Sequence, residues 1–375
     1  MDPRLTVDPE IAKAWTLPGS FYHDPALFER SKNEVFGRAW HFLGDTDDLR
    51  APGTVKPITL LEGFLDEPLV LTRDTSDTLH LLSNVCTHRG MKVCEGLSNE
   101  RFLRCRYHGR RFGLDGRFQH MPEFEGVCDF PGENDHLTAV PFAQWDKLLF
   151  ASIWPEAPFA DVFRPVMERV GWLPLNEFKF SPERSRDYLV RAHWALYVEN
   201  YLEGLHIPFI HAELNAQLDF AGYTTEMFEH GNLQLGRASG ADGIFNLPTS
   251  SPDHGERISA YYFWMFPNLM LNFYPWGLSV NVIQPINPEL TKVRFLCYVW
   301  DESKIEEGAG AALDRVERED EVVVELVQKG LKSRFYDRGR FSATKEQGTH
   351  QFQRLLAKNL TKSPSDRGAS GQRFT

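Results

Sequence analysis

The hydrophobic pattern changes period along the chain. Over residues 1–39, Phe28, Val35 and Phe36 form a helical stripe, and Asp24 or its neighbours could cap a helix opening at Pro25. From Trp40 to about Trp154 the apolar residues come in short runs broken by Gly, Pro and Asp: Val55 to Leu61, Leu69 to Leu71, Leu79 to Leu82 and Leu148 to Ile153. That spacing predicts a small all-β domain, with Pro155 and Pro158 marking its end. Beyond it, Pro165 to Val170 reads as a short helix closed by Gly171, and Arg186 to Ala192 alternates like a strand. Trp194, Tyr197, Val198, Tyr201 and Leu205 repeat at helical spacing, an apolar face for a helix running to about His206. Tyr261–Phe266, Met270–Phe273, Leu278–Gln284 and Val293–Val299 predict an antiparallel meander. A long helix follows from about Ala311 to Leu331. The stretch from Leu214 to Pro252 reads as ordinary loops, with a mobile lid as the alternative, and residues 361–375 as a frayed polar tail. The expected organisation is α+β in four pieces: 1–39, 40–155, 156–360 and 361–375.

Composition narrows the classes. The 375 residues are 42% apolar and 25% charged, as in ordinary globular proteins, and the formal net charge of −11 argues against a nucleic-acid partner. No apolar run approaches the roughly 20 residues that span a bilayer, and the first residues have no signal-peptide core. Five cysteines argue against a disulfide framework, so the expected compartment is the cytoplasm.

Two stretches carry chemistry. In the segment Glu199-Asn-Tyr-Leu-Glu-Gly-Leu-His-Ile-Pro-Phe-Ile-His211, helical periodicity puts Glu199, Glu203 and His206 on one face. Pro208 should push Ile207 out of the helical region and end the helix near His206, turning His211 back toward the same point. Two imidazoles beside carboxylates suit a divalent metal, though a core His–acid pair reads the same way. Upstream, Cys86-Thr-His88 and Cys105-Arg-Tyr-His108 are two Cys-His pairs, sixteen residues apart. Such pairs fit either a Cys2His2 zinc site or a two-iron, two-sulfur centre with two thiolates on one iron and two imidazoles on the other.

The C-x-H and C-x-x-H spacing inside a β-rich domain resembles the Rieske motif, with Gly90 and Gly109 letting the loops turn closely. Respiratory Rieske proteins carry an extra cysteine on each loop; Met91 and Tyr107 stand there, so that bridge is absent. Cys94, Cys128 and Cys297 read as plain small apolar residues. Together with E-N-x-x-E-x-x-H-x-x-x-x-H, the chain resembles the catalytic (alpha) subunit of Rieske non-haem iron oxygenases. The resemblance implies an all-β Rieske domain plus a helix-grip catalytic domain, a sheet wrapped on a long helix. It implies a 2Fe-2S cluster on Cys86, His88, Cys105 and His108, and a mononuclear Fe(II) on His206, His211 and an Asp of a late helix. Asp320 is chosen, because it stands amid Val316, Val323 and Val327 and because Glu319-Asp320 and the following Gln328–Ser333 resemble the family pattern. Where the family usually has an Asp that links one subunit's cluster to the next subunit's iron, this chain has Glu203. The implied relay runs from His108 of one subunit through Glu203 to His206 of the next, in a head-to-tail trimer. Asn200 either lines the iron site or serves helix packing or capping.

Dioxygen would be the co-substrate. No strand-linked G-x-G-x-x-G is present, so NAD(P)H electrons must come through a separate reductase. Arg106, Arg110 and Arg111 could dock such an acidic partner or simply be solvated. The stretch Phe266–Trp276 resembles choline, betaine and carnitine oxygenases, and Phe263, Trp264, Tyr274 and Trp276 could face a quaternary ammonium. The expected function is therefore a terminal monooxygenase that hydroxylates or N-demethylates such a small substrate. A ring-hydroxylating or O-demethylating oxygenase, a Rieske electron carrier and a zinc module are the alternatives.

Overall fold

The computed structural model describes residues 3–211, 224–238, 240, 243–305 and 313–362. It divides into two compact units, Gly37–Pro155 and Met1–Phe36 with Glu156–Thr375. No helix of the described residues is long and apolar enough to cross a membrane.

The unit Gly37–Pro155 is built of short strands: β1 (His41–Asp45), β2 (Thr54–Leu60), β3 (Glu67–Arg73), β4 (Leu79–Ser83), β5 (Ser98–Asn99), β6 (Leu103–Arg104), β7 (Arg111–Phe112), β8 (Phe118–His120), β9 (Phe142–Trp145) and β10 (Leu148–Ala151). They form three antiparallel sheets, β1-β10-β9, β4-β3-β2-β5 and β6-β7-β8. Val55, Val70, Leu82, Val93 and Phe112 fill the core, and Cys86 and Cys105 belong to the same buried cluster. The first Cys-His pair lies between β4 and β5, and the second at the tip of the β6–β7 hairpin.

The other unit opens with α1 (Pro25–Glu34), where the Asp24 carboxylate accepts from Ala26 N (2.8 Å) and Leu27 N (3.2 Å), the expected cap. Helix α2 is longer than expected: it runs Phe159–Val170, with Pro165 inside rather than in its first turn. Phe159, Val162, Phe163, Val166 and Val170 bury one face, and that packing outweighs the proline's missing donor.

The centrepiece is a seven-stranded antiparallel sheet of β11 (Lys179–Val190), β12 (Thr224–Phe228), β13 (Gly231–Arg237), β14 (Ile258–Met265), β15 (Leu269–Tyr274), β16 (Gly277–Asn287) and β17 (Leu290–Val299). Its order, β11-β17-β16-β15-β14-β13-β12, is a meander closed by β11. Strands β12 and β13 stand where loops were expected; residues 212–223, the rest of the lid reading, lie outside the described residues. Helices α3 (Trp194–Tyr201), α4 (Ile207–Ile210), α5 (Leu313–Gly330) and α6 (Gln347–Thr361) complete the unit. Helix α3 packs on α5, α6 and β16, and α5 packs on β11, a helix-grip arrangement. The expected start of α5 at Ala311 and the tail beyond Lys362 lie outside the described residues.

The motif helix is also corrected. It ends at Tyr201 rather than His206, and Ile207 opens α4 with Pro208 in its first turn, where a proline costs no hydrogen bond. The Glu203 carboxylate makes the break, taking the N–H groups of Leu205 and His206 (3.2 Å to His206 N). Glu199, Glu203 and His206 therefore do not share one helix face.

Candidate metal centres and substrate cavity

The two Cys-His loops of the Rieske-like unit are built alike. In each, the glycine four residues after the cysteine donates back to the cysteine carbonyl: Gly90 N to Cys86 O at 2.9 Å and Gly109 N to Cys105 O at 3.0 Å. Both glycines have a left-handed backbone, φ +72° and +76°, which side chains resist. The cysteine N–H groups in turn donate to Met91 O and Arg110 O, each at 2.9 Å. These turns leave both thiols buried (3% and 1% exposed) and both imidazoles half-buried, with His88 Nδ1 and His108 Nδ1 3.1 Å apart.

Burial pushes the Cys86 thiol up and the neighbouring Cys105 thiol adds to this, while the His88 N–H and the Arg110 charge pull it back. Burial, then the charge of His108, lowers the His88 pKa, which favours a neutral ring able to bind metal. Two soft thiols in one buried cluster and two adjacent imidazoles fit a Rieske cluster.

Arg110 does not face a partner. It is 2% exposed, pairs with Asp135 at 2.6 Å, and lies 4.9 Å over Phe118 and 5.4 Å over Phe130. Asp135 also ties down the first loop, its carbonyl accepting from Thr87 Oγ1 at 2.9 Å. Arg111 is half-buried over Phe102, so of the three arginines only Arg106 is open to solvent.

In the catalytic unit, His206, His211 and Asp320 come together, with their ligand-type atoms all within 4.8 Å of one another. His211 Nε2 lies 3.0 Å and His206 Nε2 3.5 Å from Asp320 Oδ1. The outer nitrogens are both held by carboxylates, His206 Nδ1 by Glu203 at 2.6 Å and His211 Nδ1 by Glu319 at 2.7 Å. A carboxylate only accepts, so each Nδ1 carries a proton; His211 Nε2 likewise donates to Asp320 Oδ1, and both Nε2 atoms are turned toward Asp320. A carboxylate on Nδ1 is the usual support of a metal-binding histidine. Asn200 donates to Asp320 Oδ1 at 2.7 Å and fixes the third group. Burial disfavours a charged His211, but hydrogen bonds and negative charge from Asp320 and Glu319 outweigh it and raise its pKa. Two imidazoles and one carboxylate, each braced from behind, fit an iron that keeps coordination positions open.

The valine stripe does not describe α5 as folded. Val327 is 42% exposed, and the helix instead buries Glu317, Val324 and Gln328. Glu199, suggested by spacing as a possible ligand, points away: it accepts from Tyr22 Oη at 2.7 Å and Gln353 Nε2 at 3.0 Å, and burial raises its pKa to about 7.

A cavity of about 120 Å³ opens beside His206, His211 and Asp320. Gln234, Tyr262, Asn272, Tyr274, Asn281 and Phe295 line it from the sheet. Tyr197, Tyr201 and Glu317 line it from the helices. Of the four aromatics expected there, only Tyr274 reaches it. Trp276 stacks on Tyr274 at 5.2 Å, Trp264 packs edge-on to Phe352, and Phe263 is edge-on to Phe273. Alternation could have found the true set, because Asn272 and Tyr274 share a sheet face and Tyr262 pairs with Asn272.

Residues 39–131 match the Rieske 2Fe-2S domain family, and residues 179–362 match the ring hydroxylating alpha subunit (catalytic domain) family. The chain belongs to the Rieske non-haem iron oxygenases. As such an oxygenase it carries a Rieske cluster and a mononuclear iron. It is 27% identical to the chloroplastic choline monooxygenase of Arabidopsis thaliana, over 96% of this chain and 85% of that protein. It is 28% identical to the carnitine monooxygenase oxygenase subunit of Escherichia coli, over 92% and 94%. Among solved structures, a quaternary ammonium Rieske monooxygenase superposes with a TM-score of 0.75 at 24% identity, covering 94% of this chain and all 100% of that one. The naphthalene 1,2-dioxygenase of Rhodococcus superposes at 0.71 and 17%, covering 93% and 95%. Amine and arene oxygenases thus share this fold, so the fold alone does not choose a substrate.

Proposed function

We propose that this Rieske oxygenase is the terminal component of a monooxygenase system that hydroxylates an N-methyl group of a small quaternary ammonium compound. The observation that carries the choice of substrate is the cavity wall. Tyr197, Tyr201, Tyr262, Tyr274 and Phe295 line it, an aromatic wall of the kind that suits a cation, and no lysine or arginine is found among the described residues lining it. Likeness to choline and carnitine monooxygenases supports the same choice.

On this reading Cys86 and Cys105 hold one cluster iron, His88 and His108 the other, and His206, His211 and Asp320 hold the mononuclear iron. An iron held there, with electrons delivered through the cluster, would supply the chemistry of dioxygen activation beside the cavity. Glu203 and Glu319 keep the Nδ1 protons in place, Asn200 fixes Asp320, and the tyrosines limit water around the substrate. Inserting one oxygen atom into a C–H bond of the N–CH3 group, with the other leaving as water and two electrons and two protons consumed, gives N–CH2OH. This carbinolamine breaks its C–N bond to release formaldehyde and the demethylated amine.

Electrons come from a separate NAD(P)H-dependent reductase, for which the exposed Arg106 beside the cluster loop is a docking contact. The relay from His108 of one subunit through Glu203 to His206 of the next requires a head-to-tail homotrimer. Glu203 supports this by already holding His206 at 2.6 Å. All five cysteines are free, which supports the cytoplasm as compartment.

Single turnover of the reduced protein with dioxygen, offering quaternary amines and aromatic acids side by side, tests the reading. Formaldehyde and demethylated amine are expected; ring-hydroxylated or O-demethylated products alone would overturn it. Iron content of about three per chain, rather than two, separates the oxygenase from an electron carrier.

A further inference from the structure

Glu317 is the one acidic group among the described residues of the cavity wall that the chemistry above leaves without a task. It sits on α5 one turn before Asp320, is 3% exposed and lines the same cavity. One carboxyl oxygen, Oε2, accepts the hydroxyl of Tyr197. The other, Oε1, is buried with no hydrogen-bond partner. A buried carboxyl with one open oxygen is costly unless something completes it, since the oxygen has given up its hydrogen bonds to water and gained none in return. Burial holds the carboxyl above its ordinary pKa, and the charges of Asp320, Glu321 and Asp314 add to this against the Tyr197 hydrogen bond. Asp320 is taken up as an iron ligand on this reading, and the wall has no lysine or arginine among its described residues to neutralise Glu317.

We infer that Glu317 is the anionic anchor of the substrate's cationic head, and that the site selects a net-positive amine over a zwitterion. A neighbouring ammonium makes the ionised carboxylate the favoured form and occupies the unpartnered side, with the aromatic rings of Tyr197 and Tyr262 in the same wall. A betaine or carnitine brings a carboxylate into a wall whose uncommitted charge is Glu317, since Glu203 holds His206 and Asp320 is an iron ligand on this reading, and no described lysine or arginine receives it. A choline-type alcohol meets no such repulsion; its hydroxyl suits the amide groups of Asn272 and Asn281. The inference rests on the quaternary ammonium reading and sharpens it.

The test is calorimetric binding to the iron-loaded full chain of choline, glycine betaine, and the uncharged choline isostere in which a tert-butyl group replaces the trimethylammonium. The wild type should hold choline more tightly than either of the others. Glu317→Gln keeps the shape and the acceptor for Tyr197; it should weaken choline by roughly 30-fold or more and the isostere by less than about threefold. Glu317→Asp, which keeps the charge, should retain a preference for choline over the isostere. A merely structural Glu317 would weaken both ligands alike in the Gln variant. That result, an intact choline preference in the Gln variant, or a wild type that binds betaine as tightly as choline would each overturn the inference. Should the Gln variant fail to load iron, the wild type and Glu317→Asp decide: no preference for cation over isostere in either overturns it. Demethylation of amines with an indifferent Glu317→Gln sinks the anchor alone, whereas products from arenes only sink the substrate reading.

Discussion

The two metal centres are built on opposite plans. In the Rieske domain the ligands stand two and three residues apart within each pair, and main-chain hydrogen bonds closed by Gly90 and Gly109 hold the loops. In the catalytic domain His211 and Asp320 are 109 residues apart, and side chains hold side chains: Glu203 on His206, Glu319 on His211, Asn200 on Asp320. A site held by backbone tolerates change around its ligands; a site held by carboxylates and an amide depends on each of them.

The sharpest break of that contrast removes one ligand from each plan. Cys105→Ser should abolish the cluster and its visible absorption, whereas Asp320→Ala should lose only the mononuclear iron and keep the cluster spectrum. Either change should cut turnover by on the order of a thousandfold or more. An Asp320→Ala protein with wild-type iron content would show that another group is the third ligand. Next in size are the braces. Glu319→Gln should weaken iron binding by about 10- to 100-fold, read as iron retained against a graded chelator, with cluster absorption unchanged. Glu203→Gln should do the same through His206 and, if Glu203 also carries electrons between subunits, slow reduction of the iron by the cluster. Equal iron retention in both variants and the wild type would remove the contrast between the plans.

The smallest effect on turnover should come from Glu199→Gln, which touches neither centre, yet it should change the stability profile. The folded protein raises Glu199 from 4.5 to about 7, so the folded state keeps a proton that the unfolded chain releases. Its stabilising effect is complete below about pH 4.5 and is lost as pH rises to about 7, a change of about 1–3 kcal/mol. The glutamine variant should lack that loss, so its unfolding free energy relative to wild type should climb between pH 5 and 7. A pH-independent difference would refute the assignment.

Legibility in the sequence follows the same division. The two Cys-His pairs are legible as candidate cluster ligands because their spacing is local. His206 and His211 could be read for the same reason, although the helix proposed to carry them breaks at Tyr201. Asp320 was reached through a valine stripe that the fold does not bury; the inner face of α5 is polar at Glu317, Asp320 and Gln328 because it faces a metal site, a cavity and the backbone of His193. Strand β13 escaped for a related reason. Its inward face carries Asn232 and Gln234, both buried, so a strand covered on both faces looked like a polar loop. The pattern of apolar residues reports a core made of hydrocarbon, and it goes silent where the interior is made of chemistry.

Glu317 and Asp320 occupy successive turns of one rigid helix, three residues and therefore about 4.5 Å apart along its axis. A helix of 18 residues packed on α3 and β11 does not stretch, so it acts as a ruler. Any shift of α5 carries both carboxyl groups together, and the spacing between charge and metal survives. With Glu317 as the proposed anchor, that fixed spacing would set how far from the cationic nitrogen the attacked carbon lies, whatever the remainder of the substrate looks like.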